Sequence, residues 1–518
     1  MRYFPFFFIG LAFCNTSLFA QKLKLNKERM HQLDSISAKQ RYLWEDSLRR
    51  REERITQFNA KEKDSNKAWL AQHEDFMKKM RLEQAKNDSL SLIKYDSLLS
   101  HVNYKDSSRL IIRDVPCKSI PEQVYAYKNL VKLVYAKTEI TYIDKGIFEL
   151  PKLDTLVLSQ NELIDSKLPI PKNETITFLD LSNNKLTTTP KKLKNLKELK
   201  ALKLNDNLLG ANGCKVKLHK LKKIEYLNLS NNELTELPKK LYKLKNLTEL
   251  YLNNNSITSL KGLEKLHNLK ELELSGNPVF LDPRYLVGLD SLEKLTLHKC
   301  GLIYIPPEID QLQNLKKLIL PENWLTSIPP EIGDLHKLEN LMVYKNRLTS
   351  VPDEIYGLKN LLWLDIYHNQ ITEISDKIGQ LSKLEILFLS YNKLKVLPDT
   401  LGSMLQLKEL YAHHNQLRAV PNLSRLKNLE YLHLYNNHIT EFPESVAKLT
   451  QLKELNLSDN LITEFPYEIR NLTNLKFIYL DHNQTIMYGL PYERFKMALK
   501  ELNDKGVRIK FDYPRKGN

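Results

Sequence analysis

Twelve aromatic and imidazole side chains recur through the C-terminal half of this 518-residue chain: Tyr344, Tyr367, His368, Phe388, Tyr391, Tyr411, His413, His414, His433, Tyr435, Tyr479 and His482. Two kinds of chemistry suit such a set. Imidazoles are common metal ligands, and His413 and His433, with His414 and His368 close in register, make a metal site conceivable. No ligand-motif spacing stands behind them, so the expectation is no metal and no cofactor. Aromatic rings are also what protein interfaces concentrate. On that reading the twelve residues bind a protein or peptide partner, and their histidines would make such an interface weaken in acid. The signatures of catalysis are missing: no phosphate loop, no His-Glu-x-x-His, no serine elbow and no Cys-His pair at catalytic spacing. Only 15 glycines argue against a glycine-rich nucleotide-binding enzyme. A non-enzymatic protein is expected.

The element that must position these residues is a repeat. By length alone roughly three domains would be expected, but self-similarity has priority over length. One asparagine recurs after a Leu-x-Leu-x-x frame, at Asn161, Asn184, Asn207, Asn232, Asn255, Asn277, Asn323, Asn346, Asn369, Asn392, Asn415, Asn437, Asn460 and Asn483. The spacing is 23 almost everywhere, and Cys300 fills the one missing place. Thr138 and Val115 extend the frame backwards to seventeen turns. The Leu-x-Leu leucines alternate with period two and share one face of a short strand. One such strand cannot bury its leucines alone, whereas stacked neighbours bury a continuous spine. The asparagine amide then satisfies backbone groups inside the coil as a structural ladder. Proline at the far side ends strand pairing and starts a short helical turn. At ~4.8 Å per strand the sheet runs roughly 80 Å along its arc.

Each period reads Leu-x-x-Leu-x-Leu-x-x-Asn-x-Leu-x-x-Leu-Pro, in full at Leu384, Leu387, Leu389, Asn392, Leu394, Leu397 and Pro398. This resembles the leucine-rich repeat family, in its short 23-residue class with a Leu-Pro or Ile-Pro step. The stretches Ile328 to Leu341 and Val351 to Leu364 are similar to Ras-scaffold and bacterial repeats. The resemblance covers about 109–486. It implies an α/β leucine-rich repeat solenoid, with a curved parallel sheet on the concave face and short helical or irregular turns on the convex face. It also implies protein–protein interaction as the family's commonest role.

In the first coils the concave positions are small or polar: Ser159, Ser182, Asn183, Asn205, Ser230, Asn231, Asn253 and Asn254. Beyond about residue 323 they become the aromatic and imidazole set. Exposed aromatics on neighbouring strands are costly unless covered, which points to the C-terminal half of the concave face as the partner surface. The alternative is that the rings stack on one another across strands.

Both ends differ from the repeat. Arg2, the apolar run Phe4 to Phe13 and Ser17 to Ala20 read as a secretory signal peptide, residues 1–20. Its apolar core is too short for a lasting membrane span. An exported protein is expected, whether secreted, periplasmic or at the cell surface. Residues 21–108 are charged and glycine-free, with apolar residues at loosely helical spacing. They read as an α-helical segment capping the first coil, without a heptad run long enough for a coiled coil. The absence of cysteine there speaks against an effector with a catalytic cysteine domain. At 487–518, Pro491 opens a helix with Phe495, Ala498, Leu499 and Leu502 on one face, Gly506 ends it, and Val507, Ile509 and Phe511 form a last strand. Beyond Cys14 in the signal, Cys117, Cys214 and Cys300 lie too many coils apart to bridge and are expected as free thiols.

Charge is uneven. Of a net +16, residues 185–270 hold +12: nineteen Lys, no Arg and seven Asp and Glu. A solvated outer face explains this simply. The rival function is a surface adhesin or envelope component held to acidic glycan or lipid. Specific nucleic-acid recognition is not expected without arginine. The tripeptides at Asn246 and Asn471 match the glycosylation pattern only because the repeat writes Asn-Leu there.

Overall fold

The computed structural model describes residues 108–512, apart from 115–118, 121, 165–167 and 212–215. The signal-like stretch, the helices expected before residue 108, Cys117 and Cys214 lie outside the described residues. The chain from Leu110 onward forms one compact unit. It holds a single curved sheet of eighteen strands, from β1 (Arg109–Arg113) and β2 (Lys132–Ala136) to β17 (Phe477–Tyr479) and β18 (Arg508–Lys510).

From β2 onward each strand pairs in parallel with the next in chain order. The register follows the repeat. In β11 (Asn340–Met342), β12 (Trp363–Asp365), β13 (Ile386–Phe388), β14 (Glu409–Tyr411) and β15 (Tyr431–His433), Leu341, Leu364, Leu387, Leu410 and Leu432 stand side by side. None of these leucines is more than 1% exposed. They belong to one apolar cluster that runs without a break from Ile120 to Phe511. The outer wall is a series of 3-10 turns, most of which, such as Pro330–Asp334 with Ile332 and Asp353–Gly357 with Ile355, press an Ile, Leu or Val into the spine. Proline suits the entry because its fixed φ matches the turn and its missing N–H leaves nothing unpaired.

What joins wall to sheet is the asparagine. Asn346 Nδ2 donates to the carbonyl oxygens of Val343 (2.9 Å) and Tyr344 (3.3 Å) in its own coil and of Leu320 (3.0 Å) in the coil before. Its Oδ1 accepts from the Leu325 N–H at 3.1 Å. The same four-way pattern recurs at Asn369, Asn392, Asn415 and Asn460. The bonds run from asparagine to backbone, so the ladder is stitched through main chain. At the missing rung Cys300 Sγ lies 3.3 Å from the Leu274 oxygen, and the Cys300 N–H donates to Asn323 Oδ1 at 2.9 Å. A second asparagine series, on the outer return, bonds each coil to its predecessor, as from Asn360 to the His336 oxygen (2.9 Å) and from Asn246 to the Lys222 oxygen (3.0 Å).

The C-terminus closes the spine. Helix α1 (Gly489–Asp504) buries Tyr492, Phe495, Ala498, Leu499 and Leu502. It starts two residues ahead of Pro491. β18 covers the open edge of β17, which would otherwise offer unpaired groups to another chain. Among the described residues this is the one α-helix.

Replacing Asn346 by Leu leaves the buried Leu325 N–H without its acceptor and takes one donor each from the Leu320, Val343 and Tyr344 oxygens, which keep the Asn323 amide, the Asn369 amide and the Glu322 N–H. An unsatisfied buried group costs about 1–3 kcal/mol, and with the three lost donors the total should come to about 3 kcal/mol in urea unfolding. Asn360→Leu, on the solvated return, should cost about 1 kcal/mol or less. Equal losses would show that the inner ladder carries no special share of stability. Burial pushes the Cys300 thiol up to about 12, so iodoacetamide should label Cys300 only after denaturant is added.

Candidate functional site

Three rows of side chains rise from the sheet on the face opposite the spine. The first holds the residue after each strand leucine: Met342, Asp365, Phe388, Tyr411 and His433. The second lies two residues on, at Tyr344, Tyr367, His413 and Tyr435. The third immediately precedes the ladder asparagine, at His368, Tyr391, His414 and His482.

Nine of the twelve expected residues meet in one plate of rings over β12 to β15. Phe388 stacks on Tyr411 with centroids 4.5 Å apart, and Tyr411 meets His433 edge-on at 4.9 Å. In the other rows Tyr391 lies against His414 (4.0 Å) and His413 against Tyr435 (4.2 Å), both near parallel. Tyr367 and His368 join through Tyr391 at 5.2 and 5.8 Å. Trp363 extends the plate, stacked 6.0 Å from Phe388. The sequence reading omitted Trp363, although period-two alternation places 363, 365 and 367 on one face. Tyr344, Tyr479 and His482 stand apart, with no ring contact to the plate among the described residues; His482 instead pairs with Asp459 at 3.0 Å.

The plate has a floor and a surface. Trp363, Tyr367, Phe388 and His413 are buried, each less than a tenth exposed. Tyr391, Tyr411, His414, His433 and Tyr435 are half-buried, and His368 is exposed. Ring stacking across strands covers part of this surface and leaves the upper rings partly open to solvent. Carboxylates edge it: the Tyr411 hydroxyl donates to Glu409 Oε2 at 2.8 Å, and His433 Nε2 lies 3.0 Å from Glu454 Oε1. The histidines do not converge on a point. His413 and His414 face each other through their Nδ1 atoms at 2.9 Å, and His433 is engaged by Glu454. Among the described residues no three His, Cys, Asp or Glu side chains are placed to hold a metal ion.

Backbone geometry adds what no motif showed. The residue before each ladder asparagine is left-handed, with φ +53° at His368, +55° at Tyr391 and +53° at His414. Asn, Asp and Gly tolerate this region, and Asn183, Asn231, Asn254 and Gly276 occupy it in earlier coils. Larger side chains occupy it too, at Gln160, Lys299, Glu322 and Lys345, so the left-handed turn belongs to the repeat and Tyr391 is one of several bulky residues that it holds outward.

Beneath the plate, Asp365 is fully enclosed between Met342 and Phe388 in register. Its Oδ1 accepts the Tyr367 N–H at 3.0 Å. Burial pushes its carboxyl up to about 7. Burial also holds the His414 imidazole down, to about 4. The two act in opposite directions. His414 stays neutral in the fold, so its contribution is lost as pH falls from about 6.5 toward about 4. Asp365 stays protonated in the fold while the unfolded chain ionises from 3.8 upward, so its burial weighs against folding increasingly from there to about 7. Asp365→Asn keeps the acceptor for Tyr367 and removes the penalty. Its melting temperature should exceed that of the parent by a few degrees near pH 8, and match it near pH 3.5. An unchanged or lower melting point at pH 8 would refute the assignment.

Models of the leucine-rich repeat match residues 222–279, 313–371, 364–417 and 424–484, and a further repeat model matches 175–196. No curated protein matches the chain significantly. A leucine-rich repeat protein of Leptospira interrogans is similar, with 32% identity and a TM-score of 0.64 over 79% of this chain and 96% of that one. An internalin of Listeria monocytogenes, InlF, shares 26% identity over 58% of this chain and 83% of that one, with a TM-score of 0.51. A chain of the Drosophila Toll–Spätzle complex has the same fold at 21% identity and a TM-score of 0.60, over 74% of this chain and 60% of that one. With its repeats, its asparagine ladder and these likenesses together, the chain belongs to the leucine-rich repeat family.

Proposed function

We propose that this is an exported, non-enzymatic protein that binds a protein or peptide partner on the aromatic plate over β12 to β15. One observation carries the reading. Ten rings form an unbroken contact network on the open face, and Tyr391 is held in it at φ +55°. Stability alone would favour Asn or Gly at that position. Stacked rings on a rigid sheet are already ordered, so a partner meets them with little loss of side-chain freedom. The half-buried tyrosines offer both an apolar face and a hydroxyl, as interface anchors do.

The architecture supports an interaction role, since repeat scaffolds of this kind serve as protein-binding surfaces and a chain of like fold lies in the Toll–Spätzle complex. Export rests on the signal-like residues 1–20. No described helix is long and apolar enough to cross a membrane.

The test uses the full chain and a variant with Tyr391, Tyr411 and Tyr435 changed to Ser. A partner recovered by the parent should bind the variant at least about tenfold more weakly, the effect of losing one or two anchors. Circular dichroism should show both folded. Equal affinity would place the binding surface elsewhere. Tyr391→Asn alone separates strain from recognition: it should leave stability unchanged or raised, yet weaken the partner.

A further inference from the structure

The outer face carries a second feature, independent of the plate. In the later coils the turn that follows the apolar-Pro step carries a carboxylate at its first or second residue, as at Glu331, Asp353, Asp399 and Glu468. A negative charge suits the first residues of a helical turn, where N–H groups point outward. Between residues 190 and 265 that position carries ammonium groups instead: Lys191 and Lys192, Lys239 and Lys240, and Lys261, with Lys220 on the coil between. These six side chains are exposed. None of the six makes an ion pair among the described residues.

The turns that carry them are also short, as is Pro283–Tyr285 in the coil that follows. The 3-10 turns shorten to three residues at Leu193–Asn195, Leu241–Lys243 and Leu263–Lys265, against five at Pro330–Asp334. Lys240 sits at φ +65°, where the next coil places Gly262 at +106°. A lysine in the left-handed region, beside like charges and without a carboxylate, is unfavourable for the isolated fold. The crowding reaches His219, whose imidazole is held down by burial and then by Lys240, Lys220, Lys243 and Lys222.

We propose that this lysine band, on the convex side of four consecutive coils, is a docking surface for a bilayer of anionic lipids. The chemistry of the band selects that partner. Residues 185–270 contain no arginine, so the bidentate forks that read phosphodiesters and bases are missing. Tyr242 is the one aromatic of these outer turns, and Lys265 covers it at 5.1 Å; no ring is free to stack on a base. Protein interfaces are depleted in lysine. Mobile point charges without an inserting apolar residue fit a diffuse plane of negative headgroups. The band lies on the side away from the sheet, so lipid and concave partner can be held together.

The experiment is flotation of the full chain with phosphatidylcholine vesicles, with and without phosphatidylglycerol. Binding should require phosphatidylglycerol and disappear in high salt. The variant K191Q/K192Q/K239Q/K240Q should bind about tenfold or more weakly. The comparator K337Q/K359Q/K383Q/K427Q removes the same charge from later coils and should bind as the parent does. Melting curves should confirm that both are folded. Binding that ignores phosphatidylglycerol overturns the proposal, as does an equal loss in both variants, which would reduce the effect to net charge. Band-dependent binding to dextran sulfate or duplex DNA that outcompetes the vesicles would assign the surface to a soluble polyanion and equally overturn it.

Discussion

A chain that turns sharply out of a buried strand leaves carbonyl and N–H groups with no water and no strand partner. The asparagine amide answers this at each coil, with two donors and one acceptor shared between adjacent turns. Nearly everything else follows. Because the rung reaches the preceding coil, coils must have nearly equal length, and parallel strands fall into register leucine against leucine. Because the chain must present that amide inward, the residue before it is forced into the left-handed region. That forced residue points out of the sheet, where a ligand could meet it.

The open face of the sheet is thus a by-product of the scaffold, whose outward positions the spine does not constrain. In the early coils the outward rows mix small polar residues with Val157, Lys203 and the ring pair Tyr226–Tyr251, and in the later coils aromatic and imidazole rings predominate. That shift is not free of consequence. Rings on adjacent strands come within stacking distance and bury one another, which is why Tyr367, Phe388 and His413 form a floor. The same covering encloses Asp365 and His414, so the plate carries opposed titrations within one patch.

The outer wall obeys a different constraint. Its 3-10 turns need one inward aliphatic and tolerate wide variation on the solvent side. Later coils use that freedom to match charge to the turn, with acids first. The coils between 190 and 265 use it against the turn, with lysines. Two faces of one scaffold therefore carry two unlike chemistries, in different thirds of the sheet.

Periodicity alone determined the repeat length, the parallel sheet, the spine of leucines, the asparagine rungs and the rows on which the twelve aromatic and imidazole residues stand. These are local rules, repeated so often that a single sequence reveals them. Tertiary structure decided which of the twelve touch. Nine join a plate with Trp363, while Tyr344, Tyr479 and His482 stay outside it, because ring contact depends on side-chain direction across neighbouring strands rather than on position in the period. It likewise decided which rings are floor, that the histidines pair with one another and with Glu454 rather than converge, and that an outer asparagine series joins the coils. The Glu454 contact and the outer asparagine bonds depend on distances between residues one coil apart in sequence, and the His413–His414 pair on the direction of two neighbouring side chains; a repeat pattern gives register but not separation or direction.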